Sequence, residues 1–307
     1  LQVGVYHKMH LPNYGVFDED RYFKAGNRCP VFVINGTPVG VNICEDIWSA
    51  TGPTVVQRAA GAEVIVNINA SPFHAGKRAF REKMIATRAM DNELFVAYLN
   101  TVGGQDELVF DGASVVYDMD GRPGVQGPAF EEDLVLVDLD VESVFRSRLR
   151  DPRPRKESPT IMREIGMPKV VQVSEFQARE RPSLPKPGKR SDLNGDEEVF
   201  RALVLGIRDY VRKSGFSKTL VGLSGGIDSA LTVVIAADAL GPENVVGVTM
   251  PSRYSSEGSV SDSEELAGNL GISLWTVPIE PAHGAFADML EPAKRDYDLL
   301  LMAVESG

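Results

Sequence analysis

Apolar residues along the first 140 positions recur in two rhythms. Short runs bounded by Gly, Pro, Asn and Asp read as strands: PVFVI (30–34), TPVGVNIC (37–44), AEVIVNIN (62–69), ELFVAYLNTV (93–102), ASVVYDM (113–119) and DLVLVDLDV (133–141). The opening LQVGVY is strand-like as well. Between the third and fourth runs, KRAFREKMIATRAMDN sets Phe80, Met84, Ile85 and Ala89 among basic residues, which is helical spacing. Strands alternating with helices, together with hairpin-like neighbours, predict a layered α/β sandwich.

From Arg146 to Asn194 the chain turns rich in Pro, Arg and Lys, the composition of an extended linker. The predicted organisation is therefore a domain over 1–145, a linker over 146–194 and a second domain over 195–307. The second opens with DEEVFRALVLGIRDYVRKSGF, an amphipathic helix with acids first, bases last and Gly215 after it. TLVGL, SGGIDS, ALTVVIAADALG and NVVGVTM then read as strand, turn, helix and strand, a right-handed βαβ unit of a parallel sheet. Leu1 enters directly into its apolar run and YDLLLMAVESG stops inside another. Both ends read as cut from a longer protein.

Composition narrows the class. At 307 residues the chain exceeds what one core usually organises. It is 43% hydrophobic and 24% charged, with mean hydropathy near zero, the profile of a soluble globular protein. No apolar run reaches the roughly 18 residues of a membrane span, and the start has no signal-peptide pattern. Cys29 and Cys44 are too few for a disulfide scaffold and suit a reducing cytoplasm. A net charge of −11 argues against bulk nucleic-acid binding. His7, His10, His74 and His283 have no metal-ligand spacing, so no zinc site is expected.

SGGIDS carries the first chemistry. Two glycines after a strand let backbone N–H groups turn toward an anion, and the next helix offers its positive N-terminus. Ser224 and Ser229 can add hydroxyl donors. Asp228 would repel a bare phosphate but fits a site where Mg²⁺ bridges it to pyrophosphate. A capped Gly-rich turn is the plainer alternative.

The second chemistry lies in VGVNICEDIW (39–48), where an apolar run ends in a thiol beside two acids. A strand-to-turn elbow exposes the sulfur of Cys44 and aims the following N–H groups at an oxyanion. Its acidic neighbours raise the thiol pKa, so a cation must offset them. A buried, inert strand-end cysteine is the alternative. Cys29, before a strand, is expected only to pack, and Glu45 and Asp46 to cap and shape the elbow. Phe110, Gly112 and Ser114 look like scaffold, with Gly112 allowing close approach.

Several segments carry a resemblance to known families. KTLVGLSGGIDSALTVVIAADALG resembles the pyrophosphatase-loop ATPases, which cleave ATP to AMP and pyrophosphate while activating a carboxylate; it lacks the GK[ST] of kinase-type loops. VTMPSRYSSEGSVSDSEELAGNLGI resembles the segment after that loop in bacterial NAD synthetases. KMHLPNYGVFDEDRYFKAG, GVNICEDIW and VGGQDELVFDGAS are similar to the nitrilase-type amidases, in the branch that serves as glutaminase of NAD synthetase. The resemblance implies an α-β-β-α sandwich, incomplete at its N-terminus, followed by a Rossmann-like parallel α/β domain, incomplete at its C-terminus.

It also implies residue roles. Cys44 would be the nucleophile and Lys8 the triad lysine, while the general-base Glu falls in an upstream family segment absent from this chain. Glu19 is a possible supporting carboxylate or a solvated acid. Tyr14, Ser71 and Lys77 would contact glutamine, the alternatives being aromatic packing for Tyr14 and a surface charge for Lys77. Gly222, Leu223, Ser224, Gly225, Gly226, Ile227, Asp228 and Ser229 would bind ATP, with Mg²⁺ on Asp228, and Arg253 would meet phosphate or sit in an exposed turn. The implied ligands are L-glutamine, deamido-NAD and ATP with Mg²⁺, with no tightly bound organic cofactor. The implied setting is a cytoplasmic homo-oligomer acting on neither nucleic acid nor membrane. Alternatives are another amidating or sulfur-transfer enzyme on the same ATP loop, or an inactive truncated product. The chain alone, lacking one catalytic group, is expected not to complete either reaction.

Overall fold

A computed structural model describes residues 2–150, 156, 158–161, 168–178, 182–184 and 193–294. Much of the predicted linker and the closing RDYDLLLMAVESG lie outside these residues. The chain divides into two compact units, Leu1–Ala202 and Leu203–Gly307.

The first unit is built on a seven-stranded sheet. In chain order its strands are β1 (Val31–Ile34), β2 (Thr37–Ile43), β3 (Val64–Asn69), β4 (Phe95–Asn100), β7 (Val115–Tyr117), β8 (Pro123–Gln126) and β9 (Val170–Gln172). Their spatial order is β8-β7-β4-β3-β2-β1-β9. The centre, β2, β3 and β4, is parallel, while β1, β7 and β8 join antiparallel to their inner neighbours. β5 (Val102–Gln105) and β6 (Leu108–Asp111) form a separate hairpin beside it.

Helix α3 (Lys77–Asn92) coincides with the predicted helix. It buries Arg81, Ile85, Ala89 and Asn92, positions spaced for one face of a helix. Ile85 and Ala89 pack with Ile65, Val96 and Tyr98 from one face of the sheet. Fully burying a side chain such as Ile85 stabilises by about 2–3 kcal/mol. On the opposite face, Val64 and Phe95 pack against Val144 of α4 (Val141–Arg150), giving helix layers on both sides of the sheet. α1 (Glu19–Tyr22) and α2 (Pro53–Ala59) complete the helices used below.

Several expectations fail. Among the described residues, QVGVY and DLVLVDLDV form no strand. The second alternates apolar residues with acids, but Leu134 and Leu136 stay exposed, so the pattern has no second surface to bury against. ELFVAYLNTV splits at Thr101 into β4 and β5, and TPVGVNIC ends at Ile43. The stretch given to the linker contains the end of α4 and strand β9, which pairs parallel with β1.

The second unit has a parallel sheet, β10 (Thr219–Leu223), β11 (Val245–Thr249) and β12 (Ser273–Thr276), in that spatial order. Around it lie α5 (Gly195–Lys213, which crosses the division between the units), α6 (Ile227–Leu240), α7 (Glu257–Leu270) and α8 (Glu280–Lys294). Its core joins Leu223 and Val245 to Val233, Ala236 and Leu240 of α6, the predicted β-turn-α-β succession.

Candidate active site

Cys44 follows β2 as the first residue of a 3₁₀ turn, Cys44–Ile47, with φ +45°. Left-handed backbone at a residue with a Cβ costs about 1–2 kcal/mol, so the surroundings must enforce it. Asp46, fully buried, does so. Its carboxylate accepts the N–H of Ile43 at 3.0 Å, those of Met9 and His10 at 3.1 and 2.9 Å, and the Tyr6 hydroxyl at 2.7 Å. It thereby ties the elbow to the N-terminal segment that carries Lys8. Shaping was expected of both acids; Glu45 instead faces the cavity.

An open cavity of about 470 Å³ is lined by Tyr14, Cys44, Glu45, Ser71 and Lys77, together with Trp48, Phe73, His74 and Phe80. Four of the residues singled out in the sequence therefore share one space. Lys8 Nζ donates to both Glu19 oxygens at 2.7 Å, so Glu19 is not a free surface acid. Tyr14 is 60% exposed, and its hydroxyl lies 2.9 Å from both Glu45 oxygens. Burial and this carboxylate push the Tyr14 pKa up to about 12. Lys77 is half-buried and donates to the Pro72 carbonyl at 2.7 Å. Burial and then Arg81 pull its pKa below the ordinary lysine value.

The Cys44 thiol is pushed above its ordinary value, chiefly by burial. The Lys8 ammonium acts against that shift, Glu45 adds to it, a hydrogen bond from the Ala70 backbone lowers it, and Glu19 raises it. The expected offsetting cation is thus present, but burial outweighs it. Cys29 packs as expected, buried with its sulfur 3.2 Å from Met9 Sδ. Gly112 has φ +62°, and a Cβ there would meet Val102 Cγ2 at 2.4 Å.

In the second unit, SGGIDS joins β10 to α6. Gly225 has φ +80°, and a Cβ on it would stand 2.5 Å from Ser259 Cα. Ala230 makes the first helix bond, to Gly226 at 3.1 Å, leaving the amides of Ile227, Asp228 and Ser229 in the open first turn. Ser224 and Ser229 hydroxyls lie 3.1 Å apart, and Ser229 Oγ donates to the Gly226 carbonyl at 2.9 Å. Gly222 and Ile227 are exposed and Leu223 is buried in the core. Arg253 is paired with Glu280 of α8 rather than standing free.

Residues 1–148 match the carbon–nitrogen hydrolase family and residues 199–302 match NAD synthase. The chain thus joins a segment similar to the carbon–nitrogen hydrolases to one similar to NAD synthase. Among similar proteins, a glutamine-dependent NAD(+) synthetase of Thermotoga maritima is 46% identical over 290 residues, 94% of this chain and 49% of its own length. One from Aquifex aeolicus is 45% identical, over 94% of this chain and 50% of its own. The solved glutamine-dependent NAD+ synthetase of Acinetobacter baumannii, in complex with ADP, superimposes with a TM-score of 0.77 at 36% identity, covering 95% of this chain and 48% of that one. The chain spans about half the length of the curated relatives it matches.

In the hydrolase segment, Trp48, Phe73 and Phe80 read as core in the sequence because they are apolar, and His74 drew notice only as a histidine without metal-ligand spacing. Phe80 is 64% exposed and stacks on Trp48 at 5.7 Å between centroids. In the synthase segment, the Asp228 carboxylate is exposed and no described residue binds it. It is an oxygen ligand at a helix N-terminus, which fits Mg²⁺, an ion that takes one or two carboxylates and keeps several waters.

Proposed function

We propose that this chain is part of a glutamine-dependent NAD synthetase, carrying the nucleophile of its amidase centre and the phosphate loop of its synthase centre. Residues 1–145 would form the amidase, 146–194 the connection and 195–307 the nucleotide-binding domain. The observation that carries the reading is Cys44 at a left-handed elbow in a cavity shared with Tyr14, Ser71 and Lys77, with the Lys8 ammonium, itself paired with Glu19, acting against the effect of burial on the thiol.

Glutamine is a zwitterion with a neutral amide at its far end. Glu45 and Tyr14 offer acceptors to its ammonium, and Lys77 with the Ser71 hydroxyl offers donors to its carboxylate. This leaves the side-chain amide at the sulfur. Cys44 Sγ attacks the amide carbon, and the oxyanion is met by the Lys8 ammonium and the Glu45 N–H. The C–N bond breaks, and nitrogen leaves as ammonia with the proton that the thiol gave up. Water then cleaves the thioester to glutamate and restores the thiol.

In the second domain, the first-turn amides of α6 and the Ser224 and Ser229 hydroxyls receive the ATP phosphates. The nicotinate carboxylate of deamido-NAD attacks the α-phosphorus, pyrophosphate leaves, and ammonia displaces AMP to give NAD. Mg²⁺, held by Asp228, would neutralise phosphate charge when bound. Arg253 reaches phosphate only by leaving Glu280. A cytoplasmic homo-oligomer remains the setting implied by the resemblance.

The test uses the full-length protein with ATP, Mg²⁺ and deamido-NAD, supplied with either glutamine or ammonium, and quantifies NAD and AMP. Cys44→Ala is expected to lower glutamine-driven NAD formation by about 10³-fold or more while leaving the ammonium reaction. Wild-type protein that makes no NAD from either donor would refute the assignment.

A further inference from the structure

Helix α3 meets the turn that follows Cys44 at two points. Phe80 and Arg88 stand on one i, i+4, i+8 row of the helix, with Met84 between them. Both reach Trp48. The Phe80 ring lies 5.7 Å from its indole, centroid to centroid. Arg88 holds the backbone instead: Nη2 donates to the Trp48 carbonyl at 2.9 Å and Nε to the Ile47 carbonyl at 3.1 Å. Its side chain is 13% exposed, and Nη1 lies 3.6 Å from Asp91.

The last carbonyls of a helical turn lack partners within it, and a guanidinium can hold two of them at once in a fixed plane. Trp48 also packs against the core around Ile85 and Ala89. Apolar packing is non-directional, so it leaves the register between turn and helix open, whereas two hydrogen bonds to successive carbonyls set it. The Trp48 N–H in turn donates to the Glu45 carbonyl at 3.0 Å, which carries the grip back to the residue whose carboxylate faces the cavity. Glu45 and Trp48 on the turn and Lys77 on α3 all line that cavity, while Arg88 does not. The Cys44 end of the turn is held separately, by Asp46 through the amides of Ile43, Met9 and His10.

We propose that Arg88 is a positioning residue for substrate binding: by tying the turn to α3 it fixes the spacing between Glu45 and Lys77, and so the fit of a zwitterionic amino acid between them. This deepens the amidase reading and rests on it.

The test measures glutamate formation by the full-length protein over a range of glutamine concentrations, with ATP, Mg²⁺ and deamido-NAD saturating. Arg88→Met, which keeps the stem and loses the fork, is expected to raise KM for glutamine about tenfold with kcat within about twofold of wild type, the pattern of lost uniform binding. Arg88→Lys keeps the charge without the planar fork and should raise KM about threefold; it decides if Arg88→Met does not fold. In a Lys77→Met background, Arg88→Met should add less than about twofold to KM, because the spacing no longer matters. Cys44 alkylation by iodoacetamide, read by peptide mass mapping, should keep its wild-type rate in both Arg88 variants. A merely structural role would lower kcat through a smaller folded fraction and leave KM alone. That result overturns the proposal, as do a full multiplicative effect in the Lys77→Met background and a slowed alkylation, which would place the action of Arg88 at the elbow. Wild-type protein that forms no glutamate would instead refute the amidase reading itself.

Discussion

At the scale of single residues, burial sets the acid–base behaviour of both thiols. Cys29 lies against Asp46 in the interior, and its pKa is pushed up to about 11, first by burial and then by that carboxylate. The raised value means that folding favours the neutral thiol. Its contribution is therefore complete below the unfolded-chain value near 9 and is lost as pH rises through about 11. At most it is on the order of 2 kcal/mol. Cys29→Ala should flatten the fall in urea midpoint between pH 8 and pH 10.5, relative to wild type. An equal slope in both proteins would contradict this. Legibility at this scale was uneven. Cys44 stood out because an apolar run ended in a thiol beside two acids, and Lys8 and Tyr14 only through the resemblance of KMHLPNY to known amidases, whereas Phe80 and Trp48 look like core in any sequence. That Glu19 binds Lys8 could not be read, because their juxtaposition depends on how the chain returns through α1.

At the scale of elements, α3 was readable to its ends because its apolar period is intact and the chain on either side cannot continue it. The Cys44 elbow was readable for a different reason: an apolar strand ran directly into acids. What was not readable is the agent of the elbow. Besides the nearby Ile43 amide, Asp46 fixes two backbone amides and a phenol 36 to 40 residues away in sequence, and no local pattern announces that. Asp46→Ala should leave those donors buried and unpaired, lowering stability by about 3 kcal/mol or more in urea unfolding. Asp46→Asn, which keeps the shape, should recover part of the loss. Equal midpoints for wild type and the alanine variant would refute the assignment. DLVLVDLDV taught the opposite lesson: an alternating pattern forms a strand only where a neighbour supplies hydrogen bonds and cover.

At the scale of the whole chain, the two units have separate cores, one around Ile65, Ile85 and Val96 and the other around Val233 and Val245. A lesion in one loop should therefore leave the other centre intact. Gly225→Ala places a Cβ against Ser259 Cα and demands φ +80° of a residue that resists it. NAD formation from ammonium is expected to fall about tenfold or more, while Cys44 alkylation keeps its wild-type rate. Coupled loss of both would show that the units do not fold independently. Strand β9 was not legible, since three residues in a Pro- and Arg-rich stretch carry too little periodic signal.

The cavity's paired charges have a consequence for what the protein must leave alone. NAD, the product proposed for the second domain, ends in a primary carboxamide of its own, chemically open to the same sulfur. Its amide sits on an aromatic ring, with neither an ammonium for Glu45 nor a carboxylate for Lys77. A thiol that took any amide would unmake the product as it formed. Under the proposed reading, by demanding both ends of an amino acid, the Glu45–Lys77 arrangement would shut that futile cycle out.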